Sequence, residues 1–299
     1  MPRHIIYIVN PIAGTRTRKD LQSFIEKKTR DRGIEFTVFP SVASGDYSFL
    51  HPIIKENGTT DIVIAGGDGT ISQAAGDLLD FDVNFGIIPC GSGNGLAYTA
   101  KIPRQPAKAL DIIFKGKSSL IDGFLINGHF ACMLCGLGFD AKVAHDFAEQ
   151  HTRGLMTYIK MVLRNYFSAK TYPFEIQLAK QSFKTEAYFI SIANSNQFGN
   201  NFTIAPKASL SDGMLDIVIV TDQNKLSLLL QTLTQIKLGK PLQTVNIKAD
   251  KKGVIYFQTD KLNIINASLA PLHIDGDPSE SSEKFKIEIK KKCFRLLQP

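Results

Sequence analysis

Tryptophan is absent from the 299 residues, and no long lysine/arginine run is interleaved with aromatics. Both gaps argue against a dedicated nucleic-acid binder, which needs a basic stripe with stacking surfaces. Cysteine is scarce: only Cys90, Cys132, Cys135 and Cys293 occur. No signal peptide opens the chain, since Met1-Pro2-Arg3-His4 leads straight into a short apolar run. A disulfide framework is therefore not expected, and the three Asn-x-Ser/Thr matches carry no meaning. A membrane-spanning stretch is also missing. The longest uncharged apolar segment, Gly123 to Phe139, holds four glycines, Asn127 and His129, and is too short and polar to span a bilayer. The expected location is cytoplasmic, with membrane contact only peripheral, at the inner face.

What is present suits a sizeable core. Hydrophobic residues make up 43% and charged residues 21%, so disorder is not expected. Thirty-five Lys+Arg against 28 Asp+Glu give a formal charge of +7, which favours an anionic partner such as phosphate or an acidic membrane surface.

The first 120 residues alternate strand and helix. Ile5–Val9, Glu35–Phe39, Asp61–Ala65 and Phe85–Ile88 read as strands, the third apolar after its first residue, as a strand covered on both faces should be. Leu21, Phe24 and Ile25, then Ile71, Ala74, Ala75, Leu78 and Leu79, recur at helical spacing. This order predicts an α/β fold whose N-terminal domain, residues 1–120, is a doubly wound parallel sheet. From residue 121 to 299 strand-like segments dominate: 120–126, 130–134, 174–178, 187–193, 215–220, 245–247, 254–257, 262–265 and 285–289. Helical patterns over 155–167 and 226–238 interrupt them. A C-terminal β-sandwich domain is expected, with the extreme C-terminus returning to the first domain.

Chemistry concentrates at strand ends. Gly66-Gly67-Asp68-Gly69-Thr70 lies between the third strand and the helix that follows. Ligands bind at the carboxyl ends of strands in an open parallel sheet, where glycines admit phosphate to the backbone and a helix N-terminus attracts it. Asp68 would repel phosphate unless a cation neutralises it, which makes it a candidate for holding Mg²⁺ or orienting an acceptor; the plain alternative is a βα turn with Asp68 as N-cap. Asn10-Pro11-Ile12-Ala13-Gly14 and Pro89-Cys90-Gly91-Ser92-Gly93-Asn94-Gly95 end two further strands of the same sheet. Three such loops together favour a nucleotide or phosphate site over three unrelated turns. No Walker A motif exists: Gly116-Lys117-Ser118 ends like one, but Asp111 stands where its first glycine belongs.

These three motifs resemble the diacylglycerol kinase catalytic-domain family, which includes bacterial lipid kinases, sphingosine kinases and ceramide kinases. The similarity continues through Gly136-Leu137-Gly138-Phe139-Asp140-Ala141, Ser211-Asp212-Gly213-Met214-Leu215-Asp216 and Asp275-Gly276-Asp277, in family order along nearly the whole chain. The resemblance implies an active site in the cleft between the domains, and ATP and Mg²⁺ as cofactors. It implies that Asn10, Pro11, Ile12, Ala13, Gly14, Ser41, Gly66, Gly67, Asp68, Gly69, Thr70, Ile71, Ser72, Ser92 and Asn94 line the nucleotide site. It implies a structural Mg²⁺ on Asp212 with the carbonyls of Ser209 and Met214. Bacterial members usually end the late motif in Asp-Gly-Glu, with the Glu as general base. Here Asp277 stands in that place, shorter by one methylene, about 1.5 Å of reach.

The expected function is thus ATP-dependent transfer of the γ-phosphate to a lipid hydroxyl, on diacylglycerol or a sphingoid-type lipid, with Asp277 and Asp68 as catalytic carboxylates. An NAD kinase-like enzyme and a non-catalytic nucleotide or lipid sensor are the alternatives. Pro89–Gly95 follows the lipid-kinase pattern rather than that of NAD kinase. Plainer readings cover the rest. Cys132 and Cys135 have metal-like spacing but no second pair, and read as buried apolar cysteines. His145, His151 and His273 have no nucleophile partner pattern and read as packing or solvated residues. Lys290-Lys291-Lys292 reads as a solvated strand end that could attract an anionic membrane.

Overall fold

The computed structural model describes residues 2–11, 18–150, 155–166, 168–199, 202–203, 205–221 and 253–299. Ile12, Ala13, Gly14 and the segments expected at 226–238 and 245–247 lie outside the described residues. The chain divides into two compact units, residues 1–121 with 292–299, and residues 122–291.

Unit 1 is built on four parallel strands, β1 (His4–Val9), β2 (Glu35–Pro40), β3 (Asp61–Gly66) and β4 (Asn84–Pro89), in the spatial order β2-β1-β3-β4. β1 and β3 are buried along their whole length, as strands covered on both faces must be. The C-terminal end of the last strand, Arg295–Leu296, pairs in parallel with β4 and extends the sheet. Helices α1 (Arg18–Arg30), α2 (Leu50–Glu56), α3 (Asp68–Leu78), α4 (Gly95–Thr99) and α5 (Pro106–Lys115) make the crossovers. α5 carries Pro106 at its start and ends on Gly116 in the left-handed conformation, the usual start and stop chemistry. All strands point one way, so the loops after β1, β3 and β4 share one edge of the sheet.

The opposite edge holds a buried histidine. His4 Nδ1 lies 3.0 Å from Thr59 Oγ1 and its Nε2 3.3 Å from Thr37 Oγ1. Burial lowers its pKa below the usual 6.5, opposed by the charge of Glu35. The fold therefore favours neutral imidazole, and the stability this contributes is present above pH 6.5 and lost as pH falls below it. Thermal melts from pH 7.5 to 5.5 should show wild type losing more stability than His4→Gln. Parallel losses in the two proteins would contradict the assignment.

Unit 2 is antiparallel. Its central strand β9 (Ser182–Ala193) pairs with β8 (Tyr172–Gln177) along its first half, and with β7 (Leu134–Gly138) and β12 (Leu215–Thr221) along its second. β13 (Val254–Thr259) flanks β12, and β14 (Lys261–Ile265) joins β8 to the first half of β17 (Lys284–Leu297). β15 (Leu272–Ile274) and β16 (Asp277–Ser279) form a hairpin beside β7. β5 (Ser118–Ile126) and β6 (His129–Ala131) form another; β10 (Gln197–Gly199) and β11 (Phe202–Thr203) pair separately. The core between these layers includes Phe124, Phe174, Ile176, Ile190, Ile192, Ile217, Ile264 and Phe285. Helices α6 (Phe139–Ala148) and α7 (Leu155–Tyr166) follow β7 and are joined by the Asn165 amide donating to Asp146, 2.6 Å. The expected α/β class with a C-terminal sandwich is what is found.

One strand is corrected. The run 130–134 is not continuous: β6 stops at Ala131 and β7 starts at Leu134. The cause is distant in sequence. The Asp275 carboxylate accepts the N–H groups of Cys132 (3.1 Å), Met133 (3.1 Å) and Leu134 (2.7 Å), which curls the backbone around an anion instead of leaving it in a ladder.

Candidate functional site

In unit 1 the three glycine-bearing loops are laced together at the carboxyl edge. Asn10 donates its backbone N–H to Ala65 O (2.9 Å), Ser41 to Val9 O (3.0 Å), and Cys90 to Gly66 O (3.0 Å). The Asn10 side-chain amide donates to Thr70 Oγ1, 3.0 Å away, joining the first loop to the second. α3 begins at Asp68 with Gly67 as N-cap, which has no side chain to offer. The first-turn N–H groups of Gly69 and Thr70 point out of the helix toward the edge, where they can receive an anion. A Cβ on Gly91 would fall 2.6 Å from Gly67 Cα, and one on Gly67 would fall 3.3 Å from Gly91 Cα. These glycines are needed because one loop backbone rests directly on the other.

Asp68 is not the cap of its own helix. It is buried, and its carboxylate accepts the N–H of Gly95 (2.9 Å) and of Leu96 (3.1 Å), capping α4 on the neighbouring loop. Asn94 is likewise turned inward. It sits in the left-handed conformation at φ 55°, accepts the Gly91 N–H (2.8 Å) and donates to Gly91 O (2.6 Å), closing the turn on itself. Ile71 and Ser72 are buried in α3, and the Ile71 N–H donates to Gly67 O (3.1 Å), so neither presents its side chain at the surface of the edge. Ser92 and Pro11 are partly exposed. Burial pushes the Cys90 thiol up to about 11, so it stays protonated beside the loop.

In unit 2 the Asp212 loop lies among carboxylates. Asp212 accepts the Met214 N–H (3.1 Å), and the fully buried Asp122 accepts the Gly213 N–H (2.7 Å). Burial raises the Asp216 carboxyl pKa, bonds from Tyr256 and Gln258 oppose this, and the neighbouring Asp212 charge raises it further. On the same loop the Ser211 N–H donates to Ser209 Oγ (3.4 Å); a carboxylate among neighbouring carboxylates is the kind of oxygen donor a hard divalent cation takes. Among the described residues no cluster of three His, Cys, Asp or Glu side chains has metal-binding geometry. The donor set here would be one carboxylate and two carbonyls.

The late motif is a hairpin turn. Asp275 (φ 49°) and Gly276 (φ 87°) both lie in the left-handed region, and Ile274 pairs with Asp277 across them. That is the two-residue turn for which Asp-Gly is the preferred pair. Asp275 is consumed by the 132–134 amides, whereas Asp277, the first residue after the turn, is exposed. Sequence reasoning did not find the pairing of His273 with Asp140, nor the role of Asp122. His273 and Asp140 are buried with His273 Nε2 3.4 Å from Asp140 Oδ2, and Asp122 braces the Asp212 loop. The Asp of the Gly136–Ala141 motif was a visible signal for the first pair. The contacts of Asp122 leave no local pattern.

Residues 4–126 match the diacylglycerol kinase catalytic domain, and residues 134–293 match the YegS C-terminal NAD kinase beta sandwich-like domain. A diacylglycerol kinase of Bacillus subtilis is 25% identical over 275 residues, 90% of this chain and 88% of that protein. An uncharacterized protein of Synechocystis is 25% identical over 288 residues, 92% of this chain; the match spans 65% of that longer protein. The crystal structure of a diacylglycerol kinase from Bacillus anthracis superposes with a TM-score of 0.72 at 18% identity, covering 100% of this chain and 97% of that one. With both domain types present in order across nearly its whole length, the chain belongs to the lipid kinase family that joins a diacylglycerol kinase catalytic domain to a YegS-type C-terminal domain.

Proposed function

We propose that the protein is an ATP-dependent lipid kinase that transfers the γ-phosphoryl group to the hydroxyl of diacylglycerol or a sphingoid-type lipid. The observation that carries this reading is the lacing of three glycine-bearing loops at one sheet edge, with the uncapped start of α3 among them. The amides of Gly69 and Thr70 would receive phosphate oxygens, and Asn10 holds Thr70 in place for them. Asp68 fixes the α4 loop against this cradle rather than meeting phosphate itself, and so acts by positioning. Ser209, Asp212 and Met214 would hold Mg²⁺. Bound there, the cation supplies the positive charge that offsets the Asp212 and Asp216 carboxylates.

In the transfer, the lipid hydroxyl oxygen attacks the γ-phosphorus as the bond to the bridging oxygen breaks. ADP leaves with that electron pair, and Asp277 takes the hydroxyl proton. Exposure of Asp277 at the tip of a braced hairpin supports this role, because a base must reach its substrate's proton. Measuring ATP consumption with mixed membrane lipids, with NAD and with no acceptor tests the reading. Lipid-dependent consumption is expected; NAD-dependent consumption would replace it with the NAD kinase-like alternative, and nucleotide binding without turnover would favour a sensor.

Peripheral membrane contact follows from charge. Among the described residues no helix is long and apolar enough to cross a membrane, whereas Lys290, Lys291 and Lys292 are all exposed on β17 and the net charge is +7. Each basic group near an anionic surface contributes on the order of 1 kcal/mol, screened by salt. Co-sedimentation with phosphatidylserine-containing vesicles should fall clearly between low and physiological salt. Equal sedimentation with neutral and anionic vesicles would contradict it.

A further inference from the structure

The buried Asp140–His273 pair lies beside the Asp275-Gly276 turn. The Gly276 N–H donates to His273 Nδ1 at 3.3 Å, so Nδ1 is an acceptor and the ring proton sits on Nε2, facing Asp140 Oδ2 at 3.4 Å. Asp140 occupies the first turn of α6, where its Oδ1 accepts the Ala141 N–H at 2.8 Å. The space it fills exists because residue 136 is glycine: a Cβ there would lie 2.0 Å from Asp140 Oδ2 and 2.6 Å from His273 Nε2. Burying an imidazole and a carboxylate is costly compared with an apolar pair. α6 has a separate tie to β15, His145 Nε2 contacting Leu272 O at 2.8 Å. Through His273 Nδ1 the pair reaches the backbone of Gly276, in the turn that immediately precedes Asp277. Asp275 grips the same turn from the other side through the 132–134 amides.

We propose that His273, buried against Asp140, is a positioning residue that holds the Asp275-Gly276 turn through Nδ1 and thereby sets the direction of the Asp277 carboxylate. This inference rests on the reading of Asp277 as the base. A small misplacement of a base costs up to about 10²-fold in rate, so the effect should appear in kcat and not in the affinity for ATP.

The two ring nitrogens can be tested separately. In His273→Asn the amide oxygen replaces Nδ1 and can still accept from Gly276. In His273→Gln the amide replaces Nε2, reaches Asp140 and leaves Gly276 unmatched. With the full chain, His273→Gln should lower kcat about 10- to 100-fold at unchanged KM for ATP, while His273→Asn stays within a few-fold of wild type. In the Asp277→Asn background His273→Gln should cost nothing further, since it acts through a carboxylate no longer there. Equal losses of kcat and thermal stability in both variants would reduce the pair to a structural tie. A multiplied loss in the double variant would sever it from Asp277. If Asp277→Asn keeps full turnover, the base reading fails; if it is inactive while His273→Gln is unimpaired, only the present inference fails. A measurement independent of turnover is ¹⁵N NMR of His273 in the full chain. The Nε2–H tautomer is expected, and an Nδ1–H tautomer would overturn the proposal.

Discussion

Asparagine at position 277 is expected to lower kcat by roughly 10²–10⁴-fold, the usual share of general base catalysis, and to leave ATP affinity nearly unchanged. The substitution keeps the size and shape of the side chain, while it removes the negative charge and the ability to take a proton and turns one acceptor oxygen into a donor. Asp277 is exposed, at a turn whose conformation Asp275 and Gly276 determine, so the fold should not register the change. Asp277→Glu adds one methylene on the solvent side of an edge hairpin, where there is room, and should retain or raise activity. Steady-state kinetics with a verified lipid acceptor, alongside calorimetric ATP titration, separates the two effects. Wild-type turnover in Asp277→Asn would shift the search for a base to other carboxylates. Asp68 would be a poor successor, because its two oxygens already accept the Gly95 and Leu96 amides.

The second large effect is expected at Gly91. A methyl group there must lie 2.6 Å from the Gly67 α-carbon and 3.1 Å from Asn94 Oδ1. The first of these is backbone and cannot swing aside, so the β4–α4 loop must lift off the β3–α3 loop. Lifting it pulls the α4 amides from Asp68 and opens the cradle. Gly91→Ala should weaken ATP binding by at least about tenfold, or ~1.4 kcal/mol, while the sheet stays folded. Gly67→Ala meets its neighbour at 3.3 Å and should be milder; Gly67→Val, with two more carbons in that gap, should abolish binding. Isothermal titration of the three variants orders them. Unchanged affinity in Gly91→Ala would show that the contact of the two loops does not shape the nucleotide site.

β1, β3 and β4 were legible because after a polar first residue each runs uncharged to its end at Asn, Gly or Pro, and burial on both faces removes polar alternation; β2 is only partly buried and keeps Glu35 and Thr37. α3 was legible from Ile71, Ala74, Ala75 and Leu78, all of which are buried. α5 also carries local signals, since Pro106 and Gly116 bracket it and Ala109, Leu110, Ile112 and Ile113 recur at helical spacing on its buried face. The long-range contacts left no sequence signal. Nothing local shows that Asp275 takes three amides 141 to 143 positions away, that this splits the 130–134 run, or that Asp68 caps a helix 27 residues downstream. In the candidate site, the loops were visible as glycine clusters at strand ends. The inward turn of Asn94 and the tie of His273 to the Gly276 turn depend on backbone dihedrals and cross-strand register, which residue types alone do not encode.

The most direct measurement follows the phosphorus itself. The protein is incubated with Mg²⁺, γ-³²P-labelled ATP and vesicles carrying diacylglycerol or a sphingoid base, and the label is partitioned between water and organic solvent. The account predicts label in the organic phase, dependent on the acceptor lipid and reduced roughly 10²–10⁴-fold by Asp277→Asn. Label that stays in the aqueous phase with every lipid acceptor, although the same preparation binds ATP, would contradict it.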